Sequence, residues 1–270
     1  MGSEMLLSRM QLSKKASVFV VSALSSVWAL SASADVILDH YVGSDDHGYG
    51  DVIGQSGSFD VSAVDINLAG SLLSIDVTTS FANNGLGTYQ GYTNNGLGIG
   101  FGDLFLANEW TPSGSALYTT DNWQTGTDWD YGFAIDDRWN PGGTGIWHEL
   151  GDTQNGDVDL SDDYMSGGIF RNGQEVAVDT TIATAMQGQP MNWSVDGANN
   201  RISFTFDIAG TSLENSDVIG FHWGMTCGND VIEGAYNRVP EPGTLALLGL
   251  GLSIMLVRMG RLKRSNRQAV

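Results

Sequence analysis

The chain has 270 residues, with 31 acidic against 12 basic side chains and a formal charge of −19. Such a balance excludes nucleic acid as a partner, because phosphate contacts need Lys and Arg, and it disfavours anionic membrane surfaces. A single cysteine, Cys227, excludes an intrachain disulfide, so an exported domain of this size has to rest on its apolar core.

At the N-terminus, Arg9, Lys14 and Lys15 precede a fifteen-residue apolar stretch, Ala16–Leu30, and then Ala32-Ser33-Ala34. A basic start, a short apolar helix and a small-residue A-x-A site read as a secretory signal peptide. The apolar stretch is shorter than the roughly 20 residues that a membrane span needs. Signal peptidase is therefore expected to cut between Ala34 and Asp35, which makes residues 1–34 a leader.

The mature region reads as β throughout. Val36–Tyr41 is a short strand, followed by the acidic loop Asp45-Asp46-His47-Gly48-Tyr49-Gly50-Asp51. Val64, Ile66 and Leu68 alternate with polar residues, as do Leu73, Ile75, Val77 and Phe81 after an Ala69-Gly70-Ser71 turn. Period-two alternation with one apolar face predicts a half-buried antiparallel hairpin. Asn-Asn-Gly-Leu-Gly occurs at Asn83 and again at Asn94, and Asn-Gly pairs suit primed hairpin turns. These two turns are expected to flank a short strand, Thr88–Thr93. Weaker strand signals follow at Ile99–Leu106, Tyr131–Ile135, Ile146–Leu150, Val176–Asp179 and Asn192–Val195. Asn172-Gly173 is another turn signal, and Thr180–Gln187 has room for a turn or two of helix. Ile202–Ile208 is the clearest strand, and Ile219, Phe221 and Trp223 form another. Many short strands without intervening helices predict an all-β fold, an antiparallel two-sheet β-sandwich of jelly-roll or lectin-like type.

Beyond Arg238 the composition changes. Val239-Pro240-Glu241-Pro242-Gly243 comes first, then the apolar run Thr244–Val257, then Arg258, Arg261, Lys263, Arg264 and Arg267. The prolines keep their segment extended, the apolar run forms a transmembrane helix, and the basic cluster stays cytoplasmic. With leader and tail set aside, residues 35–238 form the mature domain and residues 239–270 a separate tail. The domain then holds 29 carboxylates against four arginines and no lysine, a net charge of −25. That charge suits solubility alone, a divalent cation, or a neutral or cationic glycan.

Chemistry-bearing motifs are sparse. No Gly-x-Ser-x-Gly, His-Glu-x-x-His or phosphate-binding loop occurs, and the four histidines are scattered. No catalytic residue is assigned, and the expectation is a non-catalytic protein. Carboxylate pairs carry no weight, since a chain this rich in Asp holds some by chance. The acidic loops give calcium candidates in Asp45, Asp46, Asp51, Asp157 and Asp159, with a solvated loop as the plainer reading of each. Counted from Asp152, the second loop puts Gly156 at position five, where EF-hand geometry wants six, and ends without Glu at twelve. Trp123, Trp129, Trp139 and Trp147 lie close in sequence among Gly, Asp and Thr. Aromatic faces and hydrogen-bonding carboxylates suit a glycan site, and large aromatics suit a sandwich core equally well. Cys227 reads as a small buried apolar residue and His222 as a surface or hydrogen-bonded one.

The tail's three-part order, Pro240-Glu241-Pro242, apolar helix, basic end, resembles the PEP-CTERM sorting signal of Gram-negative bacteria. The stretch Trp223–Gly234 is also similar to a motif in a subset of proteins that carry this signal. The resemblance implies recognition by exosortase, a membrane-embedded cysteine transpeptidase-like enzyme that cuts near Pro240-Glu241-Pro242. It implies an inner-membrane-anchored precursor that is released to the cell surface or extracellular matrix of an organism that makes exopolysaccharide and biofilm. The function expected is a surface or matrix protein associated with extracellular polysaccharide. A glycan-active hydrolase or lyase on the same fold, or a purely structural coat protein, are the alternatives.

Overall fold

Inward-facing Val, Ile, Leu and Phe at alternating positions make strands the main regular element of the described residues. The computed structural model describes residues 33–39, 52–111, 126–151, 156–168, 170–186, 191–238 and 255. Apart from Met255 these belong to one compact unit, Ala32–Arg238. In chain order the strands are β1 (Ser33–Leu38), β2 (Val61–Ala69), β3 (Leu72–Thr79), β4 (Phe101–Ala107), β5 (Tyr131–Ile135), β6 (Gly143–Glu149) and β7 (Val158–Leu160). They continue as β8 (Glu175–Val178), β9 (Thr184–Ala185), β10 (Met191–Asp196), β11 (Arg201–Asp207), β12 (Val218–Met225) and β13 (Val231–Asn237). Three single-turn helices are interspersed: α1 (Ser56–Phe59), α2 (Phe81–Asn84) and α3 (Ser161–Tyr164).

Pairing is antiparallel in every ladder, as the alternating pattern predicts. The large sheet runs β1-β2-β3-β11-β10-β6-β5-β4-β12-β13, with β9 added beside β6, and β7-β8 form a small second sheet. The large sheet nearly closes on itself. A Cβ placed on Gly234 of β13 would lie 3.0 Å from the Ile37 side chain of β1, at the opposite end of the strand order. The facing layers expected of a sandwich are thus joined into one continuous, curled sheet.

Two cores result. Val64, Ile75, Phe133, Phe204, Phe221 and Trp223 point inward from five different strands into the main one. Its aromatics interlock edge to face, with Trp147 and Phe206 centroids 4.8 Å apart and Phe81 and Phe101 at 5.1 Å. Such pairs add about 0.5–1.5 kcal/mol each beyond the area they bury. On the outer face of β4, β5 and β12 lies a second, smaller core of Phe105, Trp129, Leu150, Val158 and Val178, covered by β7-β8. All residues of β4 and β5 are therefore buried, on both faces. Close approach at this junction needs glycine, since a Cβ on Gly102 of β4 would sit 2.1 Å from the Gly224 carbonyl oxygen of β12.

Several expectations change. The short strand expected over Thr88–Thr93 is replaced by a 3-10 turn, Gln90–Tyr92, and Thr93 makes an isolated bridge to Met165. Phe81, expected to end β3, instead starts α2, because its N–H bonds the Thr79 hydroxyl at 3.1 Å and its ring enters the main core. Asn84-Gly85 then closes a helical turn, not a hairpin. Among the described residues no helix is long and apolar enough to cross a membrane. The leader up to Ala32 and the tail from Val239, apart from Met255, lie outside the described residues.

Candidate functional site

Where the small sheet meets the large one, an open cleft of about 710 Å3 forms. The β5–β6 connection supplies Asp136, Arg138 and Trp139, β7 and α3 supply Asp159 and Tyr164, and the segment after β8 supplies Asp179. Its floor is set by Asp103 of β4, whose side chain is fully buried. One Asp103 oxygen accepts the Ile135 N–H at 3.0 Å; the other accepts the Val178 N–H at 2.8 Å and the Arg138 guanidinium at 3.3 Å. This one carboxylate thus joins β4, β5 and β8.

Arg138 is held by its neighbours. Nη1 donates to the Phe101 carbonyl at 2.9 Å, and the guanidinium lies 5.3 Å above the Tyr164 ring. Burial works against its charge, but Asp103, Tyr164 and Asp159 together outweigh burial and raise its pKa. Tyr164 donates its hydroxyl to Asp159 at 3.3 Å. Burial first, then the Asp179 and Asp163 carboxylates, raises the Asp159 pKa above the ordinary range. The Trp139 ring is fixed by its indole N–H, which donates to the Gly98 carbonyl at 2.9 Å.

Behind the cleft, between β8 and β12-β13, lies a buried polar cluster. The Trp129 indole N–H donates to the Glu175 carboxylate, whose other oxygen is buried without a hydrogen-bond partner. Burial raises the Glu175 pKa to about 8, so the carboxyl is protonated at neutral pH. His222 meets the Glu175 main-chain carbonyl through Nε2 at 2.8 Å and the Glu233 carboxylate through Nδ1 at 3.0 Å. A carbonyl only accepts, so Nε2 carries a proton. Burial opposes charge on the ring, but Glu233 and Glu175 together outweigh it and raise the pKa. His222 is 1% exposed, a correction to its expected place on a polar strand face, because β8 covers that face.

The predicted tryptophans separate. Trp129 packs in the smaller core and Trp147 in the main core, while Trp139 lines the cleft. Asp159 lines the cleft, and Asp157 sits beside it in β7's approach with its carboxylate accepting the Gly151 N–H at 2.6 Å. Among the described residues no three His, Cys, Asp or Glu side chains are grouped to hold a metal ion. Asp45, Asp46, Asp51, Trp123, Pro240, Glu241 and Pro242 lie outside the described residues. Ala34 and Asp35, flanking the expected leader cut, lie in β1 opposite Asn67 and Ile66.

The stretch Trp223–Gly234 forms β12, its turn and β13. Thr226, Cys227, Asn229 and Asp230 are all buried at the turn. Asp230 accepts the Val61 N–H of β2 at 2.6 Å, and the Asn229 carbonyl accepts the Ile53 N–H at 2.7 Å. This turn therefore pins the start of β2. Burial pushes the Cys227 thiol up to about 12, which makes it an inert core group.

Sequence reasoning missed Asp103, Arg138, Tyr164 and Glu175. One signal was available: Asp103 interrupts the apolar run Ile99–Leu106, and Arg138 is one of only four cations in the mature domain. A buried acid and a scarce base are natural partners.

Comparison with known families matches residues 238–264 to the PEP-CTERM protein-sorting motif. The matched segment holds the Pro-Glu-Pro sequence, the apolar run and the basic residues as far as Arg264. This motif supports an exported, exosortase-sorted surface protein. No curated protein and no solved structure matches the chain.

Proposed function

We propose that the mature domain is a non-catalytic surface or matrix protein that associates with extracellular polysaccharide of a biofilm. Signal peptidase removes the leader after Ala34, and the Thr244–Val257 helix then anchors the precursor in the inner membrane of a Gram-negative cell. Exosortase cuts near Pro240-Glu241-Pro242 and delivers the domain to the surface. The observation that carries this reading is the sorting motif over residues 238–264. Our reading of the curled sheet is a lectin-like sandwich, supported by the single core that its two halves enclose. The open cleft beside Trp139 and Tyr164 supports a glycan as the partner. Co-sedimentation of the exported protein with polysaccharide purified from the same cells tests the reading. Retention in the pellet supports it, and complete recovery in the supernatant contradicts it.

A second reading, a glycan-active hydrolase, is favoured by one feature. Asp159, with its raised pKa, faces Asp179 in the same cleft, as an acid and a carboxylate partner would. Release of reducing ends from the purified polysaccharide, abolished by Asp159→Asn, would decide for it.

A further inference from the structure

The cleft's walls combine ring faces with negative charge. Trp139 and Tyr164 are each locked in place by hydrogen bonds, so little side-chain freedom is lost when a ligand covers them. Asp136, Asp159 and Asp179 line the same space. The single cation of the lining, Arg138, is engaged by Asp103, the Phe101 carbonyl and the Tyr164 ring. An anionic chain would meet carboxylates with no cation free to answer them, whereas a cationic chain is drawn in. Carboxylates alone would not make a site. An open volume of about 710 Å3 flanked by two fixed aromatic rings does.

The ring surface continues past the cleft. Thr93 and Met165 form an antiparallel bridge, with Asn94 N–H donating to the Tyr164 carbonyl and Ser166 N–H to the Tyr92 carbonyl, both at 2.8 Å. Thr93 and Met165 are buried, and the two hydrogen bonds hold the backbone of Tyr92 beside that of Tyr164. Tyr92 is 49% exposed and Tyr89 41%, with ring centroids 6.4 Å apart. Tyr89 also holds a left-handed backbone, φ 57°, which costs a non-glycine residue on the order of 1 kcal/mol or more. Tyr92 and Tyr89 thus sit on the segment hydrogen-bonded to the main chain of Tyr164 at the cleft, which makes the aromatic surface here longer than one sugar needs.

We propose that this cleft, extended by Tyr92 and Tyr89, binds a polysaccharide of amino sugars whose amines are free and protonated. The proposal rests on the polysaccharide reading above and names the chemistry of its ligand. The sugar C–H faces lie on the rings, and the ammonium groups meet Asp136, Asp159 and Asp179. A spread cationic chain suits these carboxylates better than a point cation, since among the described residues no three of them converge as metal ligands do. Burial first, and the Asp179 and Asp163 carboxylates after it, disfavour the charged form of Asp159, and an arriving ammonium group offsets that repulsion.

Titration calorimetry of the exported protein with four hexasaccharides tests this: glucosamine, N-acetylglucosamine, glucose in cellohexaose, and an alginate. Glucosamine hexamer is expected to bind about tenfold more tightly than cellohexaose, with an affinity that falls as salt is raised. The combined change Asp136→Asn and Asp179→Asn removes that preference and leaves the thermal melt in place. Tyr92→Ala weakens the hexamer several-fold and leaves a glucosamine dimer unchanged. Equal binding of cellohexaose and glucosamine hexamer, untouched by the Asn variants, overturns the amino-sugar proposal. Binding unaffected by both Tyr92→Ala and Trp139→Ala overturns the site. Failure of all four sugars, with co-sedimentation on the native polysaccharide retained, overturns this proposal alone. Failure of both experiments overturns the polysaccharide reading with it.

Discussion

Asp103 and Arg138 meet at 3.3 Å, with side chains 0% and 12% exposed, where the small sheet joins the large one. The carboxylate accepts three hydrogen bonds, two from main-chain N–H groups of β5 and β8 and one from the guanidinium. Two strands that wall the cleft, β5 and β8, and the Arg138 loop are therefore tied to one buried charge.

Removing that charge should be costly. Asp103→Asn leaves Arg138 buried without its counter-charge and weakens two main-chain acceptor contacts, so unfolding in urea should show a loss of about 3–5 kcal/mol. Arg138→Met leaves the aspartate buried and should cost a similar amount. The double variant should cost less than the sum, because the pair fails as a unit. Additive effects would show that the two residues act independently.

Glu175 makes stability depend on pH. Its folded pKa of about 8 lies above the unfolded value of about 4.3. Below the unfolded value both states hold the proton, and the contribution is fully present. As pH rises toward the folded value only the unfolded chain loses its proton, so stability falls by about 1.4 kcal/mol per pH unit. His222, also raised, acts in the same direction: its contribution is full below the ordinary histidine range and is lost as pH passes its folded value. Glu175→Gln should flatten the melting profile between about pH 4 and pH 8 and raise the melting temperature at the upper end. An unchanged slope would show that the carboxyl is ionised in the fold.

Gly102 marks the tightest approach of β4 to β12. Gly102→Ala puts a methyl group 2.1 Å from the Gly224 carbonyl and 3.0 Å from the Val176 carbonyl, both main-chain atoms that cannot turn aside. A loss of at least about 2–3 kcal/mol is expected by thermal or urea unfolding. Gly57→Ala in α1, with nothing within 4 Å of the new atom, should change stability by less than about 0.5 kcal/mol or increase it. Equal effects at both sites would contradict the packing described.

Strands with one apolar face were legible in the sequence. Val64 to Leu68, Leu73 to Val77 and Ile202 to Asp207 all fall in strands whose burial alternates, and β11 ends one residue before Ile208. β13 was not, because Gly234 stands at an inward position where the Phe221 ring takes the space of a side chain. Of the candidate site, Trp139 and Asp159 were visible, since a tryptophan among Gly, Asp and Asn and an acidic loop stand out in composition. Glu175 was not. Its meaning comes from β8 lying over β12, a long-range contact that no local period encodes. For the same reason His222 read as a surface or hydrogen-bonded residue: it is hydrogen-bonded, but β8 buries it.

The central claim is that the tail is a removable address and the domain ends where it begins. Mass spectrometry of the C-terminus, on protein recovered from the cell envelope and the medium, tests it most directly. The account predicts chains that end near Pro240-Glu241-Pro242, with the apolar run and basic cluster absent. Recovery of chains intact through Val270 at the cell surface would contradict it.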